Sequence, residues 1–516
     1  MSPEDQARFS RRETQVDRLK RHLGGSVQPY TMCSLFASLG GFLFGFDTGS
    51  IGPISVMPHF VEYFKLHSPT LQGLVISSIL ITASVSSVLA GLLSDRISRT
   101  RTFAIGGTVF GVGSIICSTA HTLPMLIFGR CLAGVGEGLF LSTITVYTLE
   151  IAPTNIRGRL SCTTQLLVTL GVSSGYFVSY GTVQLSSSLS WRLLFILQTI
   201  VSFTFSVGSL FLPHSPRWLQ HVGRTEDAAR AWARLGFTAT EAEKEQEAVQ
   251  REQVDQAEGA SAALPSGIWA TLKLLWKKDV RGRTALGVFL MGMQQASGID
   301  GVLYYAPVLF SQAGLSSTTS AFLASGVSGL LTVACTAIAQ IYADRWGRRT
   351  SMIRGGAAIS ATMLLIGTLY ASGGSATHAG KWTIIALIYT FIVAFSMSWA
   401  VVNRIYCSEI QPMKTRAAAT SLGQCANWAV NWVIAFTTPL FLSKSSSGPY
   451  FLFGACTFLV VLVCTMFQPE SRGVTLEGLD AIFEVSPWRK FLARRAPRTH
   501  GRAPAEDMLA MRPIGA

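Results

Sequence analysis

Charge is scarce in this chain. Only 14% of its residues are Asp, Glu, Lys or Arg, where a soluble domain carries about 25%. Cysteine motifs are missing as well. The nine cysteines, Cys33, Cys117, Cys131, Cys162, Cys335, Cys407, Cys425, Cys456 and Cys464, lie in or beside apolar runs with no Cys-x-x-Cys pair. They read as small hydrophobes, and no metal site or disulfide framework is expected. No Walker-type phosphate loop occurs, so ATP is not expected to drive the protein. No nucleophile–base motif or metal cluster points to an enzyme, and no cofactor is implied. No Asn-x-Ser/Thr acceptor is present, so glycosylation gives no clue to location. The first residues are polar and basic, without the apolar core of a cleavable leader.

What the chain has instead is apolar length. It is 49% hydrophobic, with a mean hydropathy of +0.39. Nearly uncharged runs recur at about the 20-residue length that a membrane span needs. The sequence predicts an all-α membrane protein with twelve spans, near residues 30–51, 71–93, 102–120, 124–149, 160–182, 192–212, 284–312, 320–343, 350–371, 383–407, 416–442 and 450–467. The division that follows is a tail over 1–29, a six-helix bundle over 30–212, a helical linker over 213–283, a second bundle over 284–468 and a tail over 469–516. In the linker, Thr225 to Leu235 reads as a helix with Thr225 as N-cap, and 241–258 as a charged, solvated helix.

The net charge of +14 could suggest nucleic acid, but its placement answers otherwise. One set of loops carries only Lys65, Lys381 and Lys444, with Arg192 at the rim of span 6. Most of the 42 Lys and Arg crowd the other loops and both tails. By the positive-inside rule those loops and both termini face the cytoplasm. The Arg-rich end after Pro469 suits a surface facing lipid headgroups. The expected partners are therefore a lipid bilayer and a small solute, with no nucleic acid, and a monomer suffices.

Span 1 carries an isolated carboxylate, in Leu39-Gly-Gly-Phe-Leu-Phe-Gly-Phe-Asp47-Thr-Gly49. A charge at membrane depth costs roughly 2.5–3.5 kcal/mol on insertion scales and marks a functional site by default. Its candidate partner is Arg130, several residues inside span 4. Glu137 lies seven residues after Arg130 and so on nearly the same helix face. It reads either as a second proton site or as a structural hydrogen-bonding group within Gly134-x-Gly136-x-Gly138.

The two halves repeat each other. Asp95-Arg96-x-x-Arg99 after span 2 returns as Asp344-Arg345-x-x-Arg348 after span 8. Glu150-x-x-Pro153-x-x-x-Arg157 after span 4 returns at the same spacing as Glu409-x-x-Pro412-x-x-x-Arg416 after span 10. Parallel internal duplication marks transporter architecture, with substrate held between the halves. The carboxylates Asp95, Glu150, Asp344 and Glu409 and the cations Arg96, Arg157, Arg345, Arg348 and Arg416 are expected to form a cytoplasmic gate, whose ion pairs break when that side opens.

With these motifs in order, the chain resembles the sugar porter family of the major facilitator superfamily, in its fungal branch. The resemblance extends through Gly129-Arg130, Pro213-His-Ser-Pro-Arg-Trp-Leu219, Gln294-Gln295-Ala-Ser-Gly-Ile-Asp-Gly-Val-Leu-Tyr304-Tyr305-Ala-Pro307, Asn427-Trp428 and Pro469-Glu-Ser-Arg-Gly473. It implies that fold, with two six-helix bundles rocking about one central site, in the plasma membrane. It also implies that Asp47, Arg130 and Glu137 concern the proton. Proton-coupled members resemble this chain in carrying an Asp in span 1 and an Arg in span 4; an uncoupled carrier with a structural salt bridge is the alternative. Substrate contacts implied by the family are Gln165, Gln294, Gln295, Asn427 and Asn431, with Tyr304, Tyr305 and Trp428 as aromatic surface. Amides supply donors and acceptors without buried charge, as a sugar or polyol needs.

Two positions depart from the family pattern. An Asn usually follows the Gln-Gln-x-Ser-Gly-x run, and Asp300 stands there. A Gly-Pro-x-Pro-Trp-like run usually occupies span 10, and Ala400-Val-Val-Asn-Arg404 stands there. Asp300 and Arg404 could pair with each other, Arg404 could bind an anionic substrate such as a sugar acid, or Arg404 could snorkel to the cytoplasm. The expected activity is secondary active transport of a sugar, polyol or sugar-like acid. Uncoupled transport, a non-transporting nutrient sensor and export of an acidic metabolite are the other readings.

Overall fold

Several of the helices begin with proline in their first turn, among them those starting at Pro29, Pro58, Pro69, Leu123 and Gly448. Proline lacks an N–H that the first turn could not satisfy anyway, and its fixed φ suits that position. The computed structural model describes residues 28–153, 156–238, 240–247, 273–277, 280–315, 317–342, 346–412, 415–472 and 483. The tails and most of the linker, including 248–272, lie outside the described residues, as do Asp344 and Arg345.

The described chain is helical. The first half comprises α1 (Pro29–Ala37), α2 (Leu39–Val56), α3 (Pro58–Phe64), α4 (Pro69–Ile97), α5 (Arg99–Ser118), α6 (Leu123–Ile151), α7 (Arg157–Thr182) and α8 (Leu189–Ser209). The short α9 (Pro216–His221) and α10 (Thr225–Leu235) follow. The second half comprises α11 (Arg281–Ala296), α12 (Ile299–Tyr304), α13 (Ala306–Gln312), α14 (Thr318–Tyr342), α15 (Arg348–Ala371), α16 (His378–Met397), α17 (Trp399–Glu409), α18 (Arg416–Lys444) and α19 (Gly448–Phe467). Thr225 is not the N-cap of α10; Arg224 is, and its Nε bonds Asp227 Oδ2 at 2.6 Å.

Ten helical stretches among the described residues are long and apolar enough to cross a bilayer. The two predicted spans outside that set are α7 and the segment α11–α13. Polar side chains of α7 face the central cavity, and breaks divide span 7 into helices of 16, 6 and 7 residues, each too short to cross alone. With them the crossings number twelve. Elsewhere the outward faces are apolar and open: Val85, Leu89, Phe128, Ile200, Leu330 and Ile341 are all exposed, the mark of a surface that meets lipid.

Span 7 is not one helix. It breaks at Ser297 and Gly298, whose φ of +86° lies in the left-handed region, and again at Tyr305. Span 10 breaks at Ser398, between Met397 and Trp399, without a proline. The break in span 7 turns α12 onto α2 of the other half, while α17 packs among the helices of its own half.

The halves meet along α4 against α18 and α7 against α14. At the end away from the termini, α2 approaches α12 so closely that a Cβ on Gly52 would fall on the Tyr304 carbonyl. There the Tyr176 hydroxyl also donates to the Leu303 carbonyl. Toward the termini, Gln340 Nε2 donates to the Cys162 carbonyl at 2.6 Å.

Candidate functional site

Asp47 sits in α2, in a wall made by α6 and α8. Arg130 Nη1 lies 2.5 Å from Asp47 Oδ1, and the two residues are only 1% and 3% exposed. Burying two charges is favourable only when their remaining hydrogen-bond capacity is met. Here it largely is: Arg130 Nε donates to the Val75 carbonyl at 3.3 Å and Nη2 to the Ile76 carbonyl at 3.2 Å. Gln198 of α8 donates through Nε2 to Asp47 Oδ1 at 3.1 Å and to Ser50 Oγ at 3.3 Å. Sequence reasoning missed Gln198, although it is the only amide within span 6.

Glu137 lies on the same face of α6, fully enclosed, and among the described residues neither carboxyl oxygen has a hydrogen-bond partner. The structural hydrogen bond considered for it is not formed.

A cavity lies between the halves, the kind of position between bundled helices where small-molecule sites form. Phe44, Thr48, Gln165 and Thr169 line it from the first half. Gln294, Gln295, Asp300, Arg404, Gln424, Asn427, Trp428 and Asn431 line it from the second. Thr48 directly follows Asp47, so one turn of α2 carries both the ion pair and part of the wall.

The amides are mutually fixed. Gln294 Nε2 donates to the Trp399 carbonyl at 2.9 Å. Asn427 Nδ2 donates to Gln294 Oε1 at 3.2 Å, and Gln295 Nε2 to Asn427 Oδ1 at 3.3 Å. Asn431 Nδ2 donates to Asp300 Oδ2 at 2.6 Å. Two acceptors are left over: Gln295 Oε1 and Asn431 Oδ1 are buried without a donor. Trp428 packs edge-on to Phe44 across the halves, with ring centroids 5.5 Å apart.

Tyr304 and Tyr305 do not line this cavity. The breaks in span 7 turn them away: Tyr305 donates its hydroxyl to the Ala435 carbonyl at 2.6 Å, and Tyr304 is packed against α2. Nor do Asp300 and Arg404 make a direct ion pair; Arg404 reaches Asp300 only through space. Arg404 does not snorkel out either, since its side chain opens into the cavity.

At the end that carries the termini, the charged motifs form two clusters. Arg99, rather than the exposed Arg96, is the partner in the first. Its Nη1 lies 2.5 Å from Asp95 Oδ1, and its Nε and Nη2 grip Glu150 at 3.1 and 2.9 Å. In the second, Arg348 Nη2 lies 3.4 Å from Glu409 Oε1, and Ser471 Oγ donates to Glu409 Oε2 at 2.7 Å. Glu470 accepts the backbone N–H groups of Arg348 and Arg349 at 2.6 and 3.1 Å, capping α15. Arg416 donates to the Gln411 carbonyl at 3.2 Å, and the Arg157 side chain lies outside the described residues. His214 closes the first cluster, with Nδ1 2.7 Å from Ser98 Oγ and 2.9 Å from Thr100 Oγ1. Burial, then Arg101, Arg224 and Arg234, hold its imidazole below the usual histidine range.

A broken-helix cavity of fixed amides beside a buried acid–base pair, in a chain of twelve spans, defines a membrane carrier for a small polar solute. Residues 33–483 match the family described as "Sugar (and other) transporter", and the chain belongs to that family. It is similar to the galactose-proton symporter of Escherichia coli strain K12, at 32% identity over 90% of this chain and 96% of the relative. It is also similar to the arabinose-proton symporter of the same strain, at 31% identity over 87% and 92%. Among solved structures, the proton:xylose symporter XylE bound to 6-bromo-6-deoxy-D-glucose superposes with a TM-score of 0.74, at 27% identity over 88% of this chain and 99% of that one. The fold is that of the major facilitator superfamily, and the protein is a multi-pass membrane protein.

Proposed function

We propose that the protein is a proton symporter that carries a polyhydroxylated solute (a sugar, polyol or sugar acid) between two six-helix bundles, residues 30–212 and 284–468. The observation that carries the coupling is the buried Asp47–Arg130 pair, one residue from the cavity-lining Thr48. Opposite charges about 4 Å apart attract by roughly 4 kcal/mol at an effective dielectric near 20. A proton on Asp47 removes that attraction, frees Arg130 and loosens α2 from α6. Loss of the proton restores the grip. Solute in the cavity and proton on Asp47 thus act on the same helix, which is what couples them.

The Arg99–Glu150 and Arg348–Glu409 clusters work as the gate at the other level. They hold the helix ends together while the cavity faces away, and opening that side separates them. The basic loops support a cytoplasmic position for this end and both termini, and the plasma membrane is the proposed site of action for a monomer.

The test uses the purified protein in liposomes containing a pH-sensitive dye. Adding galactose, arabinose, xylose, xylitol or gluconate outside should acidify the lumen only for transported solutes, and Asp47→Asn should abolish that signal. Transport of a panel member with no proton movement would remove the symport reading and leave an uncoupled carrier.

A further inference from the structure

We infer that the carried solute is an anion: a polyol bearing one carboxylate, held by Arg404. The inference rests on the carrier reading above and names its substrate class. α17 starts at the Ser398 break, so its first turns face the cavity and place Ala400 and Arg404, four residues apart, on its wall. Among the described residues Arg404 has no hydrogen-bond or ion-pair partner, although its side chain is open to the cavity. No carboxylate among the described residues forms an ion pair with it, and Asp300 acts on it only through space. Asp300 is bound by Asn431 at 2.6 Å. Glu409, on the same helix, is bound by Arg348 and Ser471.

A guanidinium inside a cavity, five donors unspent, is a poor feature for a neutral sugar. It is suited to a carboxylate, which it can grip with two parallel hydrogen bonds. The rest of the wall has the opposite polarity. Gln295 Oε1 and Asn431 Oδ1 are buried acceptors without donors, and the Asp300 carboxylate lies beside Asn431. Hydroxyl groups supply the missing hydrogens. The cavity therefore has a donor end at Arg404 and an acceptor end at Asp300, Gln295 and Asn431. A molecule with a carboxylate at one end and hydroxyls along the rest matches both. Aldonates, uronates and cyclic polyhydroxy acids have that layout. Bare carboxylates lack the hydroxyls, and neutral sugars lack the charge.

Binding to the purified protein at pH 7, followed by quenching of tryptophan fluorescence, tests this. Probes are gluconate, galacturonate and quinate against glucose, galactose and xylose, with acetate as the bare carboxylate. At least one acid should bind about tenfold or more tightly than every neutral sugar and than acetate, a difference one charge-assisted bidentate contact can supply. Arg404→Gln should cut the acid-to-neutral affinity ratio by about tenfold or more, Arg404→Lys should keep part of it, and Arg404→Trp should invert it. Size-exclusion profiles and thermal unfolding confirm that each variant is folded. If neutral sugars bind as tightly as the acids, or if Arg404→Gln leaves the ratio unchanged, the inference falls. Neutral-sugar uptake with protons and no acid binding would overturn it while leaving the symporter standing. Binding of no probe would count against both.

Discussion

Gln198 reaches from α8 to donate an amide hydrogen to Asp47 Oδ1 at 3.1 Å, the same oxygen that Arg130 approaches to 2.5 Å. The carboxylate is therefore tied to two helices of its own half at a depth where water is excluded. Asp47→Leu leaves Arg130 buried and uncompensated, which costs about 3–5 kcal/mol when a buried pair is broken. Removing both charges, as Asp47→Leu with Arg130→Met, should recover most of that loss. Urea unfolding in detergent measures the cycle. Equal losses in the single and double variants would mean that packing, not charge, holds this wall.

The spans were legible because each is an apolar run of bilayer length, and the duplicated charge motifs gave the pairing of the halves. Side-chain partners were legible only where a local rule applied, and that rule was not always followed. Asp95 lies near the end of α4 and Arg99 begins α5, so the turn at Ser98, and no helical spacing, decides that Arg99 and not Arg96 is the partner. Gln198 was visible as a lone amide in an apolar run, but its target lies 151 positions away in the chain. The amides of α11 and α18 could be assigned to the site by resemblance. The two tyrosines could not, because the breaks at Gly298 and Tyr305 decide where they point, and a hydropathy pattern carries no record of a break.

The Gly52 contact with Tyr304 fixes how closely the halves approach at the end away from the termini. Gly52→Ala places a methyl group on that carbonyl, where backbone cannot yield as a flexible side chain would. The halves should separate there, and transport should fall about tenfold or more. Electron-spin distances between labels at Tyr63 and Leu315 would lengthen relative to the parent protein. Unchanged distances and rates would mean that α12 adjusts locally.

His214 gives the gate region a pH dependence. Its folded pKa lies below the ordinary 6.5 because burial and then Arg101, Arg224 and Arg234 disfavour its charge, with Asp227 opposing them. The unfolded chain then binds more protons at His214 than the folded chain does, so stability rises with pH through this window. The contribution is fully present above pH 6.5 and is lost as pH falls below it toward the folded pKa. His214→Asn keeps a polar partner for Ser98 and Thr100 and removes the titration. Its melting temperature should depend less steeply on pH below 6.5 than that of the parent. Parallel curves would assign the acid sensitivity to another group.

The ion pairs at the end with the termini predict a rate effect. Glu150→Gln removes one charge from the bidentate grip on Arg99, and Glu409→Gln does the same for Arg348. Each weakens contacts that hold that side closed, by about 1–3 kcal/mol for a hydrogen bond to a charged group. A cysteine placed at Ala400 should be modified faster by a thiol reagent added from that side, and concentrative uptake should fall. Normal uptake and unchanged modification would make these clusters topological charge alone.

Charge movement distinguishes the two solute classes most sharply. One proton carried with a neutral sugar moves one positive charge; one proton carried with a carboxylate anion moves none. A potential of 100 mV is worth about 2.3 kcal/mol per charge, or roughly a fiftyfold difference in accumulation. Liposomes clamped inside-negative with potassium and valinomycin should therefore accumulate a neutral sugar far more strongly than unclamped ones. Accumulation of gluconate or galacturonate should respond to the pH gradient and ignore the potential. Arg404→Gln should reduce acid accumulation without making it potential-dependent, because Arg404 holds the anion and does not carry the proton. Acid uptake that follows the potential as steeply as neutral uptake would require a second proton per anion. Two buried carboxyls stand ready for it: Glu137, on the same face of α6 as Arg130 and without a hydrogen-bond partner among the described residues, and Asp300 in the cavity wall.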